Sequence, residues 1–243
     1  MDLTKTHAGF TQTSHTLIEA LLDHRTSRAA AEELTRVYWP PVYSFLRRNG
    51  HDREQAAEIT QAFFVEKVIE GNLIEQFDAE RGKLRNLILR AIQNFAIDEQ
   101  RRSSTSSRAV QQRFMLDPDQ EQWGSDVAPS SAFDRRWAIA QLTEALHRCE
   151  QYFSAAGRES HWKVFEDRVL QPSLYSKDPT PMEQLANQYG FKNAALVAAA
   201  VQLVKRRLII FLREIISDSV ASPSMLDDEF RDAISLLKSM PAS

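Results

Sequence analysis

Residues 82–102 have the sequence GKLRNLILRAIQNFAIDEQRR, and this stretch decides the fold that we predict. Apolar side chains recur in it every three or four residues, which is the spacing of one face of an α-helix. Similar periodicity runs along most of the chain, and no segment shows the sustained alternation that is typical of strands. We therefore predict an all-α protein. The apolar face of 82–102 consists of Leu84, Leu87, Ile88, Ala91, Ile92 and Phe95.

The predicted helices form two small helical bundles joined by a polar linker. Residues 116–131, LDPDQEQWGSDVAPSS, combine acidic residues, Pro, Gly and Ser without periodicity, which is typical of a linker. The predicted parts are an N-terminal extension (1–27), a first domain (28–115), the linker (116–131), a second domain (132–218) and a tail with a short helix (219–243). Helices are predicted at 14–25, 28–49, 53–70, 80–102, 132–155, 159–171, 181–189, 194–217 and 226–239.

Charge is segregated along the chain although the net charge is only −3. Residues 81–113 hold eight Arg or Lys against two acidic residues, whereas 116–131 hold four acidic residues and no basic one. Any contact with nucleic acid must therefore come from a local basic surface, because the molecule as a whole has no basic field.

Composition and motifs favour a cytoplasmic protein that is not an enzyme. The single cysteine, Cys149, rules out an intrachain disulfide framework and fits a reducing compartment. There is no signal-peptide pattern at the N-terminus, and the longest wholly apolar run, 194–201, is too short to span a bilayer. The sequence shows no phosphate-binding Gly-rich loop, metal-ligand spacing or nucleophile motif, so we expect no cofactor, no metal site and no membrane partner.

A basic stripe follows one side of the helix predicted at 80–102. Lys83, Arg90, Asn94 and Arg101 are spaced by seven, four and seven residues, which places them on one face, and Gln100 and Arg102 lie close by. Arg and Lys bind phosphate, and Asn or Gln can pair with a base edge. A lone basic stripe is more often an ordinary solvated face, so the stripe alone does not establish a nucleic-acid site.

Ordered motifs in 33–68 and 77–102 resemble the promoter-binding domain of extracytoplasmic-function sigma factors of bacterial RNA polymerase, in particular the large planctomycete-type groups. Residues 131–170 and the C-terminal sequence from FLREII onward are also similar to these groups, so the resemblance covers the chain from about residue 28. The matching positions in the first domain are Tyr38, Trp39, Tyr43, Phe45, Arg47, Arg48, Asp52, Ala56, Glu58, Ile59, Thr60, Gln61, Phe63, Phe64, Arg81, Gly82, Lys83, Leu84, Arg85, Asp98, Glu99 and Arg102.

This resemblance implies a sigma region-2-like first domain, a region-4-like second domain, and core RNA polymerase and promoter DNA as partners. The basic helix and the loop after it would capture an unpaired base of the non-template strand, with new contacts offsetting the cost of unstacking. An anti-sigma factor or a Ser/Thr kinase is a candidate regulator. The implied polymerase-binding residues are Asp52, Glu58, Thr60, Gln61 and Phe64, and the implied strand-binding residues are Arg85, Arg90, Asn94, Arg101, Arg102 and Arg108.

The loop 101–108, RRSSTSSR, allows two interpretations. Five consecutive hydroxyl residues between arginines are typical of a flexible turn, which is the simpler explanation. The alternative is a phosphorylation site, because an added phosphate beside Arg101, Arg102 and Arg108 would dock the loop or repel DNA.

Residues 181–216 have the pattern of a helix-turn-helix, but the second helix is unusual. Pro181 begins the first predicted helix, and Ala186 and Gly190 fit the helix crossing and the tight turn. The second helix, NAALVAAAVQLVKRR at 193–207, lacks base-contacting side chains at its start. We predict that this apolar run packs as core. The following segment, LIIFLREII at 208–216, is either covered by the tail helix or forms a partner or self-association surface. The remaining candidate phosphate contacts are Lys192, Lys205, Arg206 and Arg207.

The sequence therefore predicts a sigma factor that binds core RNA polymerase and directs promoter recognition and transcription initiation. The alternative is a sigma-like adaptor or antagonist that binds polymerase and no longer recognises promoters through its C-terminal domain. The missing base-contacting side chains at 193–207 motivate this alternative.

Overall fold

A computed structural model describes residues 27–75, 77, 83–106, 128–220 and 223–239. All regular elements in these ranges are helical, which confirms the all-α prediction. The helices are α1 (Ser27–Arg48), α2 (Arg53–Phe63), α3 (Leu84–Ser106), α4 (Pro129–Ala155), α5 (Glu159–Phe165), α6 (Gln171–Tyr175), α7 (Met182–Tyr189), α8 (Ala194–Ser217) and α9 (Pro223–Lys238).

Each helix predicted from residue 28 onward has a counterpart with similar bounds, whereas the helix predicted at 14–25 lies outside the described residues. Two predicted helices change form along their length, because α2 continues as a π-helical turn over Phe64–Ile69 and α5 continues as one over Glu166–Leu170. Gly71 follows the first of these turns, and a Cβ there would collide with the carbonyl oxygens of Glu66 and Lys67. Glycine is therefore required where the chain leaves the turn.

The chain divides into two compact units. Unit 1 comprises residues 1–140 and 216–233, and unit 2 comprises 141–215 and 234–243. This division differs from the predicted domain bounds, because it falls inside α4, α8 and α9 rather than in a linker. Local composition can indicate a polar linker. The unit to which each half of a long helix belongs depends instead on the distant residues that pack against that half.

The core of unit 1 is aromatic. Phe63 makes edge-to-face contacts with Phe64 and Phe95 at centroid distances of 5.3 and 5.7 Å, so α2, the π-helical turn and α3 pack together. Tyr38 of α1 stacks on Phe133 of α4 at 6.4 Å, and both are buried. Edge-to-face and offset contacts of this kind are the favoured geometries for aromatic rings. They hold α3 by its apolar face.

The core of unit 2 lies beneath the helix-turn-helix formed by α7 and α8. Gly190 ends α7 in the left-handed conformation with φ +74°, and the Asn193 side chain accepts a hydrogen bond from the Leu196 N–H at 3.0 Å, which is typical of an N-cap. Upstream, the Arg168 guanidinium donates to the carbonyls of Pro179 and Thr180 at 2.8 Å, which anchors the polar segment before α7. The buried residues are Cys149, Phe153, Trp162, Val164, Phe165, Leu185, Ala186, Val197, Ala200, Val201 and Val204.

The α8 helix is only half buried, which corrects the prediction that its apolar run packs as core. Val197, Val201 and Val204 are buried, whereas Leu196, Ile209 and Ile210 are 45%, 51% and 44% exposed. Ile209 and Ile210 are therefore not covered by the tail helix, contrary to the first of the two interpretations of 208–216. The sequence could not show this, because a helix that is apolar on all sides does not indicate which side faces solvent.

Within the described ranges, no helix combines the length and the hydropathy needed to cross a membrane.

His161 makes the stability of unit 2 sensitive to pH. Its ring stacks on Phe153 and meets Phe191 edge-on, with centroid distances of 6.1 and 5.4 Å. Burial, followed by the charge of Arg158, lowers the pKa of His161 below its usual value. A lowered histidine pKa stabilises the folded state above the unfolded pKa of about 6.5, and this stabilisation is lost as the pH falls toward the folded pKa.

We therefore predict that the free energy of unfolding, measured with urea, decreases between about pH 7.5 and pH 5.5. His161→Phe should reduce this decrease, because phenylalanine keeps the aromatic packing and does not titrate. Part of the decrease should remain, since burial also lowers the pKa of His51 in unit 1. An identical pH dependence in wild type and His161→Phe would contradict the assignment.

Candidate nucleic-acid interface

The candidate interface is the exposed face of α3, opposite its apolar core face. Leu84, Ile88, Ile92 and Phe95 are buried, as predicted, while Leu87 and Ala91 are half-buried. The opposite side bears a stripe of exposed residues at helical spacing, which we call the α3 stripe. Its members are Asn86, Arg90, Asn94, Ile97 and Arg101.

Three predicted residues, Arg90, Asn94 and Arg101, are therefore brought together on a surface that a ligand can reach. The stripe carries two guanidinium groups for phosphate, while the amide of Asn94 has both a donor and an acceptor for a base edge. Because the other face of α3 is packed against aromatic rings, these side chains project from a helix held in place by tertiary contacts.

Two stripe residues, Asn86 and Ile97, were not predicted. Ile97 is 48% exposed although it is large and apolar, and it lies between Asn94 and Arg101 along the stripe. An exposed apolar side chain among cations offers van der Waals contact to an unstacked base. Spacing from Asn94 would have placed Ile97 on the stripe, but an isoleucine in a helix is ordinarily assigned to the core.

The cations at the end of α3 are exposed and form ion pairs at the surface. Arg101 lies 3.7 Å from Asp98, and Arg102 pairs with Glu99 and lies 3.9 Å from Glu66. Exposed pairs of this kind contribute little to stability, so a phosphate can replace these carboxylates at low cost. Gln100 is also exposed, and α3 extends to Ser106 through part of the predicted loop. Arg108 and Ser107 lie outside the described residues.

Lys83 and Arg85 occupy a different environment, which corrects the prediction that Arg85 is an accessible strand contact. Arg85 donates from Nε and Nη2 to the two carboxylate oxygens of Glu229 at 2.9 and 3.0 Å, and from Nη1 to Asp134 at 2.9 Å. Its guanidinium carbon lies 4.6 Å from the centre of the Trp137 ring. The side chain of Arg85 is 8% exposed and that of Glu229 is fully buried. Arg85 is therefore part of the core of unit 1.

Lys83 lies at the edge of the same network. Its Nζ is 2.7 Å from carboxylate oxygens of both Glu229 and Asp232, and its side chain is 18% exposed. Asp232 is half exposed and lies 3.3 Å from Arg85 Nη2. We call these five residues the ion cluster: Lys83, Arg85, Asp134, Glu229 and Asp232. They join the start of α3 to α4 and α9, a connection that no local sequence pattern could predict.

Electrostatics within the ion cluster follows from burial and from pairing. Burial alone would lower the pKa of Lys83, but its hydrogen bonds to Asp232 and Glu229 outweigh this effect and raise it. Burial of Asp134 raises the pKa of its carboxyl, and the charge of Arg85 offsets only part of that rise. The pKa of Asp232 is lowered, because Lys83 and Arg85 stabilise its charged form more than burial disfavours it.

The predicted polymerase-binding residues on and beside α2 divide into exposed and buried groups. Glu58 and Gln61 are exposed, whereas Thr60 and Phe64 are buried. The Thr60 hydroxyl donates to the carbonyl of Ala56 at 2.6 Å, and Phe64 stacks on Trp39 at 5.9 Å. Thr60 and Phe64 therefore belong to the core of unit 1, which corrects their predicted place on a docking surface. The periodicity of α2 places them beside Phe63 rather than beside Gln61.

Asp52 has a structural explanation. Its carboxylate accepts a hydrogen bond from the Gln55 N–H at 2.8 Å, and the Gln55 side chain accepts one from the Asp52 N–H at 3.4 Å. This reciprocal pair is a capping box that satisfies two N–H groups at the start of α2. Asp52 is exposed as well, so capping and partner contact are compatible.

The predicted phosphate contacts of unit 2 also divide. Lys192, Lys205 and Arg206 are exposed. Arg207 is half-buried, with its guanidinium carbon 4.1 Å from the centre of the Tyr152 ring and Nη2 donating to the Tyr152 hydroxyl at 2.8 Å. Arg207 therefore packs α8 against α4. This position corrects the prediction that Arg207 is a phosphate contact.

A comparison of Arg85 with Arg90 tests the ion cluster. We predict that Arg85→Ala lowers the free energy of unfolding by about 3–5 kcal/mol, because it leaves buried Glu229 without its main partner. The matched change Arg90→Ala on the exposed face should alter it by less than about 0.5 kcal/mol. Urea unfolding measures both values, and similar losses in the two variants would contradict the buried position of Arg85.

Arg207 and Arg206 form a second matched pair. Arg207→Ala should lower the free energy of unfolding by about 0.5–2 kcal/mol, because the guanidinium packs on Tyr152. Arg206→Ala should leave stability unchanged and should weaken binding to a DNA duplex at low salt. Thermal unfolding and a salt titration of binding separate these effects, and the reverse assignment would refute the placement of the two residues.

Comparisons with known proteins do not assign the interface. The chain matched no family model, no curated protein and no solved structure. The function is therefore proposed from the residues of the chain, their contacts and the resemblance of the sequence motifs.

Proposed function

We propose that this protein is a sigma factor of extracytoplasmic-function type, which binds core RNA polymerase and directs promoter recognition and transcription initiation. The observation that carries the proposal is the α3 stripe, where Arg90, Asn94 and Arg101 are exposed together on a helix packed against the core. The ordered motifs of the first domain supply the class of protein in which such a helix binds the promoter.

In this proposal the α3 stripe holds one strand of an opened promoter. Arg90 and Arg101 contact successive phosphates, while Asn94 pairs with a base edge and Ile97 packs against the face of an unstacked base. Extruding a base costs a few kcal/mol, and contacts of this kind offset the cost best when the side chains are already positioned. The packing of α3 on Phe63 and neighbouring rings provides that positioning.

The proposed polymerase contact is the exposed side of α2. Glu58 and Gln61 lie one turn apart on this side and can meet a helical partner, while Phe63 and Phe64 hold the other side in the core. Mutual burial of the aromatic rings at centroid distances under 6 Å keeps the orientation of α2 relative to α3 constant. The docking helix and the strand-binding helix would then act as one body.

In unit 2, we propose that the helix-turn-helix binds upstream DNA mainly through phosphates. Lys192 lies just before α8, while Lys205 and Arg206 lie further along its exposed side. Phosphate contacts position a protein on a duplex without recognising its sequence. Promoter specificity would then come chiefly from the α3 stripe.

Run-off transcription with purified core RNA polymerase and genomic promoter fragments tests the proposal. We predict promoter-specific transcripts with wild type and a strong loss with Arg101→Ala, accompanied by a salt dependence of promoter binding that is smaller by about one phosphate contact. Asn94→Ala should reduce discrimination between promoter variants by about 1–3 kcal/mol at one position.

Arg28→Ala is the matched control, because Arg28 on α1 is 94% exposed and its loss changes net charge by the same amount. This variant should transcribe like wild type. If wild type initiated at no promoter fragment, or if Arg28→Ala lost as much activity as Arg101→Ala, the proposal would fail.

The second candidate is a sigma-like adaptor or antagonist that binds polymerase without recognising promoters. The exposed side of α8 favours it, since that side presents Leu196, Ile209 and Ile210 instead of a row of base-contacting groups. In the same assay, stable binding to core polymerase without promoter-specific initiation would support the adaptor and reject the sigma factor.

A further inference from the structure

We infer that α9 masks Lys83, the cation directly before the strand-binding helix, and that Asp232 occupies the site on Lys83 that a nucleic-acid phosphate takes in the bound state. This inference rests on the proposed function, and it adds a means of regulating the same helix. The carboxylate of Asp232 stands in for the phosphate, and binding exchanges one for the other without any covalent step.

The geometry separates the ion cluster into a fixed part and an exchangeable part. Arg85 and Glu229 form the fixed part, because the pair is buried and joined by two parallel hydrogen bonds. Removing one partner of such a pair leaves an uncompensated buried charge, so nucleic acid cannot displace Glu229 cheaply. Trp137 closes the other side of the Arg85 guanidinium. The helix α9 therefore stays attached at this point.

Lys83 and Asp232 form the exchangeable part. Their ion pair is 2.7 Å long, yet the Asp232 side chain is 50% exposed, so solvent and ligands reach it from outside. Pairs at the surface are worth little in net free energy, because water and salt compete with them. A nucleic-acid phosphate, which carries the same single negative charge, can replace Asp232 while Lys83 keeps a counter-charge from Glu229.

The charge balance of the ion cluster tolerates such an exchange, because a carboxylate and a backbone phosphate carry the same single charge. Three carboxylates, from Asp134, Glu229 and Asp232, surround only two cations. Asp232 is the outermost of the three by exposure, since Asp134 is 28% exposed and Glu229 is fully buried. Displacement of Asp232 therefore leaves the buried charges paired and releases the carboxylate that water hydrates most readily.

Backbone contacts hold Lys83 next to the segment that leads into α9. Lys83 forms an isolated antiparallel bridge with Val220, and the Leu84 N–H donates to the Ser219 carbonyl at 3.4 Å. Only residues 221 and 222 separate this contact from the start of α9. Lys83 directly precedes α3, whose stripe begins at Asn86, so a strand bound along the stripe would meet Lys83 at this end of the helix.

The test compares Asp232→Asn with Asp228→Asn in the full chain. Both variants remove one carboxylate from α9, but Asp228 is 64% exposed and pairs with Arg231 instead of Lys83. The probe is a fluorescein-labelled single-stranded oligonucleotide, followed by anisotropy over a series of salt concentrations. Asp232→Asn should bind about two- to fivefold more tightly than wild type, and its salt slope should steepen by about one. Asp228→Asn should change the slope by much less.

Variants at Lys83 show whether the tighter binding of Asp232→Asn requires Lys83. Lys83→Gln combined with Asp232→Asn should bind no better than Lys83→Gln alone, and Asp232→Glu should restore wild-type binding because it keeps the charge. Urea unfolding checks that each variant folds. Equal effects of Asp232→Asn and Asp228→Asn would overturn the inference, as would a gain that persists without Lys83 or the absence of probe binding by every variant.

The run-off assay distinguishes this outcome from failure of the proposed function. If wild type initiates at specific promoters but Lys83 and Asp232 show no coupling, the sigma-factor proposal is supported and the masking of Lys83 is rejected. If Lys83 and Asp232 are coupled in the binding assay but no transcription occurs, the masking of Lys83 is supported and the sigma-factor proposal is rejected.

Discussion

The structure of unit 1 depends on the buried guanidinium of Arg85. This group satisfies the carboxylate of Glu229 from α9, reaches Asp134 of α4 and lies against the ring of Trp137. A charge in the interior is costly unless it is paired and fully hydrogen-bonded, so these partners must assemble together. The start of α3, the first half of α4 and the tail helix are thereby held in one arrangement, although they are far apart in sequence.

This constraint determines which cations of α3 are available to a ligand. Arg85 is committed to the core and Lys83 is shared between the core and the surface, whereas Arg90 and Arg101 project from the exposed side. These four basic residues appear equivalent in the sequence. In the structure, Arg85 has a structural role, Lys83 lies between core and surface, and Arg90 and Arg101 are exposed. The proposed interface is narrower than the basic segment and is set against a rigid aromatic core.

Unit 2 shows the same division between packing and surface roles. Arg206 and Arg207 are neighbours in the chain, yet Arg206 is exposed and Arg207 packs on Tyr152. The half-buried α8 keeps Val197, Val201 and Val204 in the core and leaves Leu196, Ile209 and Ile210 at the surface. A helix-turn-helix with this surface fits phosphate contact or association with a partner better than recognition of base sequence.

Local patterns in the sequence were sufficient to determine the all-α class, the approximate bounds of most described helices and most of the apolar face of α3. The caps at Asp52 and Asn193 are local features as well, because capping depends on residues three positions apart. Tertiary structure alone decided that Arg85 is buried and that Ile97, Ile209 and Ile210 are exposed. Periodicity defines the faces of a helix, but the side that is buried depends on contacts with residues far away in the chain. Arg85 shows this most clearly, since its burial requires a carboxylate that lies 144 positions later.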